Sequence, residues 1–454
     1  MCSLLQFFWA SQMTKKFPTE CDSEKSPYNT SGVQENIEIC LSDDFGRILR
    51  SRLDLEQGYV IFVETPILLS LCNISTEEES ILLETSESTG LNVIDDFIFL
   101  KAYCSASSET RKLVEDCFAP GRLAIESSEL LRSLLKVVDS CKRFQWSQGF
   151  SCDELERVVL IKACNAHGCY SQSSSSAALY TYGSKMRHSC CPNVTYTSQR
   201  EPGKGCFIAA CDIRAGDELF ITYIDIYKSA RIRSQELSEN YLFQCDCEMC
   251  TVKVDRFRGI YCGGACEGTL FRDQSNGVWT CDECDRNCTD ETKPISNAGE
   301  DALYREVLSF INSFNVNIPA PIRTLRARLM EELGQKHCLT KIVEKAYIEH
   351  HLLRNMNSVV ESSDELERIT DDILVWCGND PSFLDSTLVR IACGIAVCGK
   401  FDKAMRYFQI VLEDMHTLFG VASGNENLEI VRRGIAACTA RKEALVPDVI
   451  ITNV

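Results

Sequence analysis

Eight cysteines crowd the stretch from Cys245 to Cys288, and their spacing constrains the fold more than any other feature of the chain. Cys245, Cys247 and Cys250 form C-x-C-x2-C, which offers three thiolates within one tight turn. As core residues they would drag Asp246 and Glu248 inside as charges, which is unfavourable. As zinc ligands they need only a fourth donor, supplied from elsewhere in the chain. A second group follows, with Cys262-x3-Cys266, 14 residues, then Cys281-x2-Cys284. The intervening GTLFRDQSNGVWT predicts two short strands about a Ser275–Asn276–Gly277 turn, so that both pairs meet at one end of a hairpin, as in a zinc ribbon. The x3 spacing is looser than x2, Cys288 is an available substitute ligand, and free thiols are the alternative to a second metal site.

The other cysteines, out of 27 in 454 residues, are scattered and uneven, unlike a secreted disulfide framework. Met1–Ala10 is apolar but has no basic residue ahead of it, and no apolar run reaches the roughly 18 residues of a membrane span. A reducing setting, cytoplasmic and/or nuclear, is expected, with no membrane association. A chain of this length predicts two or three packed units. Its net charge of −18 argues against direct nucleic-acid binding and is compatible with a basic peptide partner.

Residues 1–35 read as a poorly ordered lead-in, polar after residue 10 and carrying Pro18, Pro27 and Gly32. From Asn36 to Leu71 short apolar runs such as YVIFV (59–63) alternate with turn signals at Asp43–Gly46 and Gln57–Gly58, which predicts strands. Over residues 74–142 the period changes, and LLRSLLKVV (130–138) repeats at three and four residues as a helix does. GKGCFIAACDI and DELFITYI predict strands around the turn Arg214–Asp217. Beyond about Asn297 amphipathic helices follow, broken at Pro319–Pro321 and Gly378–Pro381. In GKFDKAMRYFQIVLED, Ala404, Phe408 and Leu412 share one face, as in half of a tetratricopeptide (TPR) repeat or in an ordinary helix pair.

Three segments in a fixed order carry a family resemblance: RHSCCPN (187–193), GDELFITYID (216–225) and YLFQCDCEMC (241–250). Together they resemble the NHSCxPN motif, the GEELxxxY motif and the cysteine-rich post-SET segment of SET-domain lysine methyltransferases, in particular the SET-and-MYND (SMYD) family. GRILRS (46–51) looks like the family's G-x-G-x-R segment, and CNA (164–166) like its C-N-A/S segment. The resemblance implies an α+β fold: a β-rich SET domain over 36–240 with a helical insert at about 72–166, a zinc-binding post-SET region over 241–290, and an α-helical, TPR-like C-terminal domain over 296–454. It makes Cys190 the fourth ligand beside Cys245, Cys247 and Cys250. S-adenosylmethionine (SAM) contacts carry over to Arg50, Asn165, Arg187, His188 and Phe243.

The implied activity is SAM-dependent methyl transfer to a lysine of a histone or other protein. Tyr223 would orient the amine and Tyr241 would wall the lysine channel. Such an enzyme must present a neutral amine, whereas at an ordinary pKa of ~10.4 only about one lysine in a few thousand is neutral at pH 7. An aromatic channel that desolvates the ammonium beside a sulfonium lowers that pKa twice over. Taken alone, Tyr223 would read as a packing residue and His188 as a backbone partner; the ordered motifs raise both to site candidates.

Three departures stand out. Arg187 replaces the family's asparagine, and Ile48 its second glycine. The cysteines between Cys72 and Ala166 have no C-x2-C pair and no histidine among them, so the MYND zinc finger is missing. The first two keep open a second function, a SET-derived scaffold with weak or lost SAM binding that serves as an interaction platform through its helical tail.

Overall fold

The structure, a computed structural model, describes residues 33–440 except 43–45, 72–73, 90, 92, 122–125, 127, 172–173, 202, 265, 313–318, 379, 385 and 420–425. The readings of Met1–Ala10, of most of the 1–35 lead-in and of much of the Asp43–Gly46 turn lie outside them. The chain divides into two compact units: the described residues up to Ile224 with Ser234–Cys245, and Asp225–Arg233 with the described residues from Asp246 onward.

The first unit is built on short strands. β1 (Ile37–Ser42) and β2 (Gly46–Ser51) form an antiparallel hairpin, Ile37 opposite Ser51 and Ser42 opposite Gly46. β3 (Val60–Glu64) pairs with β9 (Gly205–Ala209), which pairs with β8 (Val194–Thr197). β4 (Leu68–Leu69) and β5 (His167–Ser171) flank β6 (Ser174–Leu179). β7 (Arg187–His188) lies parallel to β10 (Phe220–Ile221), so that Phe220 faces Arg187 and Ile221 faces His188. DELFITYI thus pairs with β7 over only two residues, short of the run its alternation predicts, and just before them it bonds β2 instead, through the Asp217 carbonyl and the Leu219 N–H. The core of the strands is Leu49, Ile61, Phe62, Tyr180, Phe207 and Leu219, all nearly inaccessible. At the predicted turn, the Asp217 N–H donates to the Arg214 carbonyl at 3.0 Å and Gly216 takes φ +90°, a conformation that costs glycine little.

The insert expected at 72–166 is helical among its described residues, with helices at Thr76–Thr89, Ile94–Ser105, Ser108–Glu115, Glu129–Cys141 and Cys152–Asn165. Ser107, Ser128 and Ser151 start three of them by accepting the N–H of Thr110, Leu131 and Glu154, each cap worth about 1 kcal/mol. Phe97, Leu100, Val137, Val138, Leu155 and Val159 are buried together, at ~1.5–3 kcal/mol per side chain. That packing fixes helix 152–165, whose C-terminus delivers Cys164 and Asn165 directly ahead of β5.

In the second unit, β11 (Ile260–Tyr261), β12 (Thr269–Arg272), β13 (Trp279–Cys281) and β14 (Asn287–Cys288) form an antiparallel sheet in chain order. The predicted hairpin is present, with Gly277 at φ +74° in its turn. Helices follow at Asn297–Asn312, Pro319–Glu332, Cys338–Tyr347, Ser363–Trp376, Ser386–Val397, Phe401–Phe419 and Glu426–Thr439. Ala404 and Phe408 are fully buried, as their spacing predicts. No helix of the described residues is long and apolar enough to cross a membrane.

Candidate active site and metal centres

The parallel pairing of β7 and β10 sets the site, because it brings RHSC beside the residue that leaves β10. The Tyr223 backbone N–H donates to His188 Nδ1 at 2.9 Å. Nδ1 is therefore the acceptor, and Nε2 carries the proton that faces Cys190 Sγ at 3.3 Å. One imidazole thus ties Tyr223 to a cysteine of the first thiolate group.

Around Tyr223 the rings close in. Its centroid lies 5.1 Å from Tyr241, 5.4 Å from His188 and 6.4 Å from Phe243. The Tyr241 hydroxyl donates to the Tyr223 carbonyl at 3.2 Å, and the Tyr223 hydroxyl donates to the Met186 carbonyl at 2.6 Å. Burial raises the Tyr223 phenol well above its ordinary pKa, helped by Cys164 and opposed by Arg187. It stays protonated at any physiological pH. Between Tyr241 and Phe243, Leu242 adopts φ 64°, a left-handed conformation costing a non-glycine residue ~1–2 kcal/mol. The turn it makes lets both flanking rings reach Tyr223.

Beside this box lies a cleft of about 410 Å³, open to solvent, lined by Asn165, His167, Gly183, Ser184, Tyr223 and Tyr241 among others. The Asn165 amide donates to the carbonyls of Ile161 at 2.7 Å and Phe118 at 2.8 Å. Burial lowers the His167 pKa to about 4, opposed only by a hydrogen bond with the Gly183 backbone, so the ring is neutral.

Sequence reasoning passed over Glu64. Its buried carboxylate ends β3 and accepts the N–H groups of Thr181 (2.6 Å), Tyr182 (3.0 Å) and Gly183 (3.2 Å). These bonds pin the loop that forms one wall of the cleft. The one trace of Glu64 in the sequence is a carboxylate closing the apolar run YVIFVE, which does not by itself distinguish a buried end from an exposed one. Leu242 and His167 were likewise passed over; neither φ nor burial is written in a short motif.

The candidate residues do not all converge. Asn165, Tyr223 and Tyr241 line the cleft, with His188 and Phe243 stacked against Tyr223. Arg50 and Arg187 face Glu218 and its turn instead. Arg187 pairs with Glu218 at 3.0 Å and lies over the Phe220 ring at 5.6 Å. Exposed Arg50 bridges Glu218 through the backbone, and its guanidinium donates to the Gly216 carbonyl at 3.2 Å. Ile48 is 3 % exposed, its side chain turned to the interior.

The sulfurs of Cys190, Cys245, Cys247 and Cys250 lie within 4.8 Å of one another, as do those of Cys262, Cys266, Cys281 and Cys284. Asp246 and Glu248 stay exposed. Tetrahedral zinc with bonds of ~2.3 Å separates its sulfurs by about 3.8 Å. In the second group Cys262 to Cys284 is 3.9 Å and Cys266 to Cys281 is 3.6 Å, so the donor set fits that ion. Against burial, the backbone N–H groups of Glu283 and Cys284 lower the pKa of the Cys281 thiol, while those of its neighbours Cys266 and Cys284 are raised. Gly268 leaves no room for a side chain there, since a Cβ would sit 2.6 Å from Cys281 Sγ. Cys288 is buried and is not one of the four.

Residues 46–224 match the SET domain family model, so this part of the chain is similar to SET domains. Among curated proteins, parts of the chain resemble set5 and SMYD2 methyltransferases. The chain is 36% identical over 86 residues to "Histone-lysine N-methyltransferase set5" of Schizosaccharomyces pombe, covering 19% of this chain and 27% of that one. To "N-lysine methyltransferase SMYD2-B" of Xenopus laevis it is 29% identical over 136 residues, 29% of this chain and 30% of that one. With human "N-lysine methyltransferase SMYD2" the identity is 34% over 100 residues, 21% and 23% of the two chains. The chain thus matches less than a third of the length of these curated relatives. Among solved structures, the SET domain of LSMT bound to lysine and AdoHcy is 13% identical, covers 91% of this chain and 86% of that chain, and superposes with a TM-score of 0.32.

Proposed function

We propose that the chain is a SAM-dependent protein-lysine N-methyltransferase acting on a lysine of a histone or another protein. The observation that carries this reading is the aromatic box around Tyr223, a half-buried, neutral phenol at the edge of a cleft lined by Asn165. Arg50, Asn165, Arg187, His188 and Phe243 are the proposed SAM contacts.

SAM, when bound, supplies a methyl group on a sulfonium. The residues of the chain act on the lysine. Tyr241 and Tyr223 strip water from its ammonium and so favour the neutral amine, while their ring faces hold the alkylated nitrogen. The Tyr223 hydroxyl orients the amine lone pair. Besides its proposed SAM contact, His188 holds Tyr223 in place, since its ring nitrogens engage Tyr223 and Cys190. Zinc in the two four-cysteine groups would hold the Cys190 loop and the β11–β14 sheet. The remaining assignments belong to the same reading: a SET domain over 36–240, a post-SET region over 241–290, a TPR-like tail over 296–454, a cytoplasmic and/or nuclear setting and no nucleic-acid partner.

One observation favours a second reading, a scaffold with weak SAM binding: neither Arg50 nor Arg187 lines the cleft. Transfer of tritium from labelled SAM to lysine peptides separates the two. Wild type should label a lysine peptide, and Tyr223→Phe should label it about ten- to a thousandfold more slowly, as when one oriented polar contact to a transition state is deleted. Equal rates would reduce Tyr223 to packing.

A further inference from the structure

Both four-cysteine groups have an arginine placed the same way against one ligand sulfur. Arg233 is fully buried. Its Nη2 donates to the Met249 carbonyl at 3.1 Å and to Cys250 Sγ at 3.7 Å, while Nη1 donates to the carbonyls of Lys228 and Ile226. Arg286 is half-buried, follows the Cys281-x2-Cys284 pair by two residues, donates from Nη1 to the Cys262 carbonyl and stands 4.0 Å from Cys262 Sγ. Each guanidinium therefore reaches a ligand sulfur and a carbonyl at or beside that ligand, in two groups that share no secondary structure.

The charge balance gives this recurrence a meaning. Zinc with four thiolates carries a net charge of −2, which is costly to hold away from water. A guanidinium cannot lose its proton in a protein and makes charge-assisted bonds to anionic acceptors. We propose that Arg233 and Arg286 are counter-charges of the two zinc–thiolate centres, each bringing its centre toward −1 and so strengthening zinc retention. The inference rests on zinc occupying both groups.

Arg286 carries the test, because it is not deep in a core and its variants should fold. Zinc content of the purified full chain is measured first, by elemental analysis. Competition with a chelating dye then gives the affinity of each zinc in wild type, Arg286→Met and Arg286→Lys, with melting curves to confirm folding. Met keeps bulk and removes charge. It should weaken one of the two zincs by about 10- to 100-fold, the usual cost of losing a group that supports a metal ligand, and leave the other unchanged. Lys should restore affinity to within about threefold of wild type, since it keeps the charge. Folded Arg286→Met with unaltered zinc affinity overturns the proposal, and so does Lys as weak as Met, which would make the role one of shape. A zinc-free wild type overturns both the metal reading and this inference, whereas two tightly held zincs insensitive to Arg286 overturn the inference alone.

Discussion

Arg187 is the residue whose chemistry and placement pull hardest in different directions. It stands where the family resemblance puts a short amide, and a guanidinium beside a sulfonium would repel it. The structure resolves the conflict by pairing it with Glu218. The pair is partly exposed and worth no more than about 1 kcal/mol. Arg187→Asn should therefore change SAM affinity by no more than about tenfold, or roughly 1.4 kcal/mol, in a calorimetric titration. Clear rescue of an otherwise undetectable affinity would favour the scaffold. Ile48 needs no such accommodation, because its side chain points inward. At this scale Tyr223, Asn165 and His188 were legible, because each sits in a motif whose order along the chain is informative. Glu64 and Leu242 were not, since a buried carboxylate and a left-handed backbone are set by tertiary partners far away in sequence.

At the scale of elements, the two four-cysteine groups were the most legible feature, because cysteine spacing is local. The Cys262–Cys284 hairpin follows directly from two cysteine pairs and a turn. Helix 129–141 was equally plain from its three-and-four periodicity, whereas β7 and β10 were not, since a two-residue pairing depends on the partner strand. If zinc occupies both groups, the purified protein holds about two ions per chain. Cys190→Ser should then lose one of them by elemental analysis and weaken SAM binding, because His188 links that sulfur to Tyr223. Unchanged zinc would remove Cys190 from the site. A second element-level device lies in the second unit, where buried Glu300 meets Arg258 at 2.8 Å, His337 at 3.4 Å and Lys293 at 3.5 Å. Burial alone would lower the His337 pKa, but Cys338 and Glu300 outweigh it and raise it to about 9. A raised folded-state pKa gives stability that is complete below the unfolded value of ~6.5 and lost as pH climbs through about 9. Melting temperature should fall across that interval, and His337→Gln should flatten the fall. A variant with the wild-type profile would place the titration elsewhere.

For the whole molecule, composition narrowed the classes and motif order chose among them. The net charge of −18 suits a basic peptide partner, but it is uninformative about which one, since acidic surface also serves solubility. The tail was legible as helices and remains open as a TPR-like array, because amphipathic periodicity encodes a buried face without encoding what stacks on it. The central claim, that the chain is an enzyme rather than a scaffold, turns on cofactor binding. The most direct measurement is calorimetric titration of SAM into the full chain. Saturable one-site binding with a Kd below about 1 mM is the predicted result; no binding at millimolar SAM would contradict the enzyme reading and leave the scaffold.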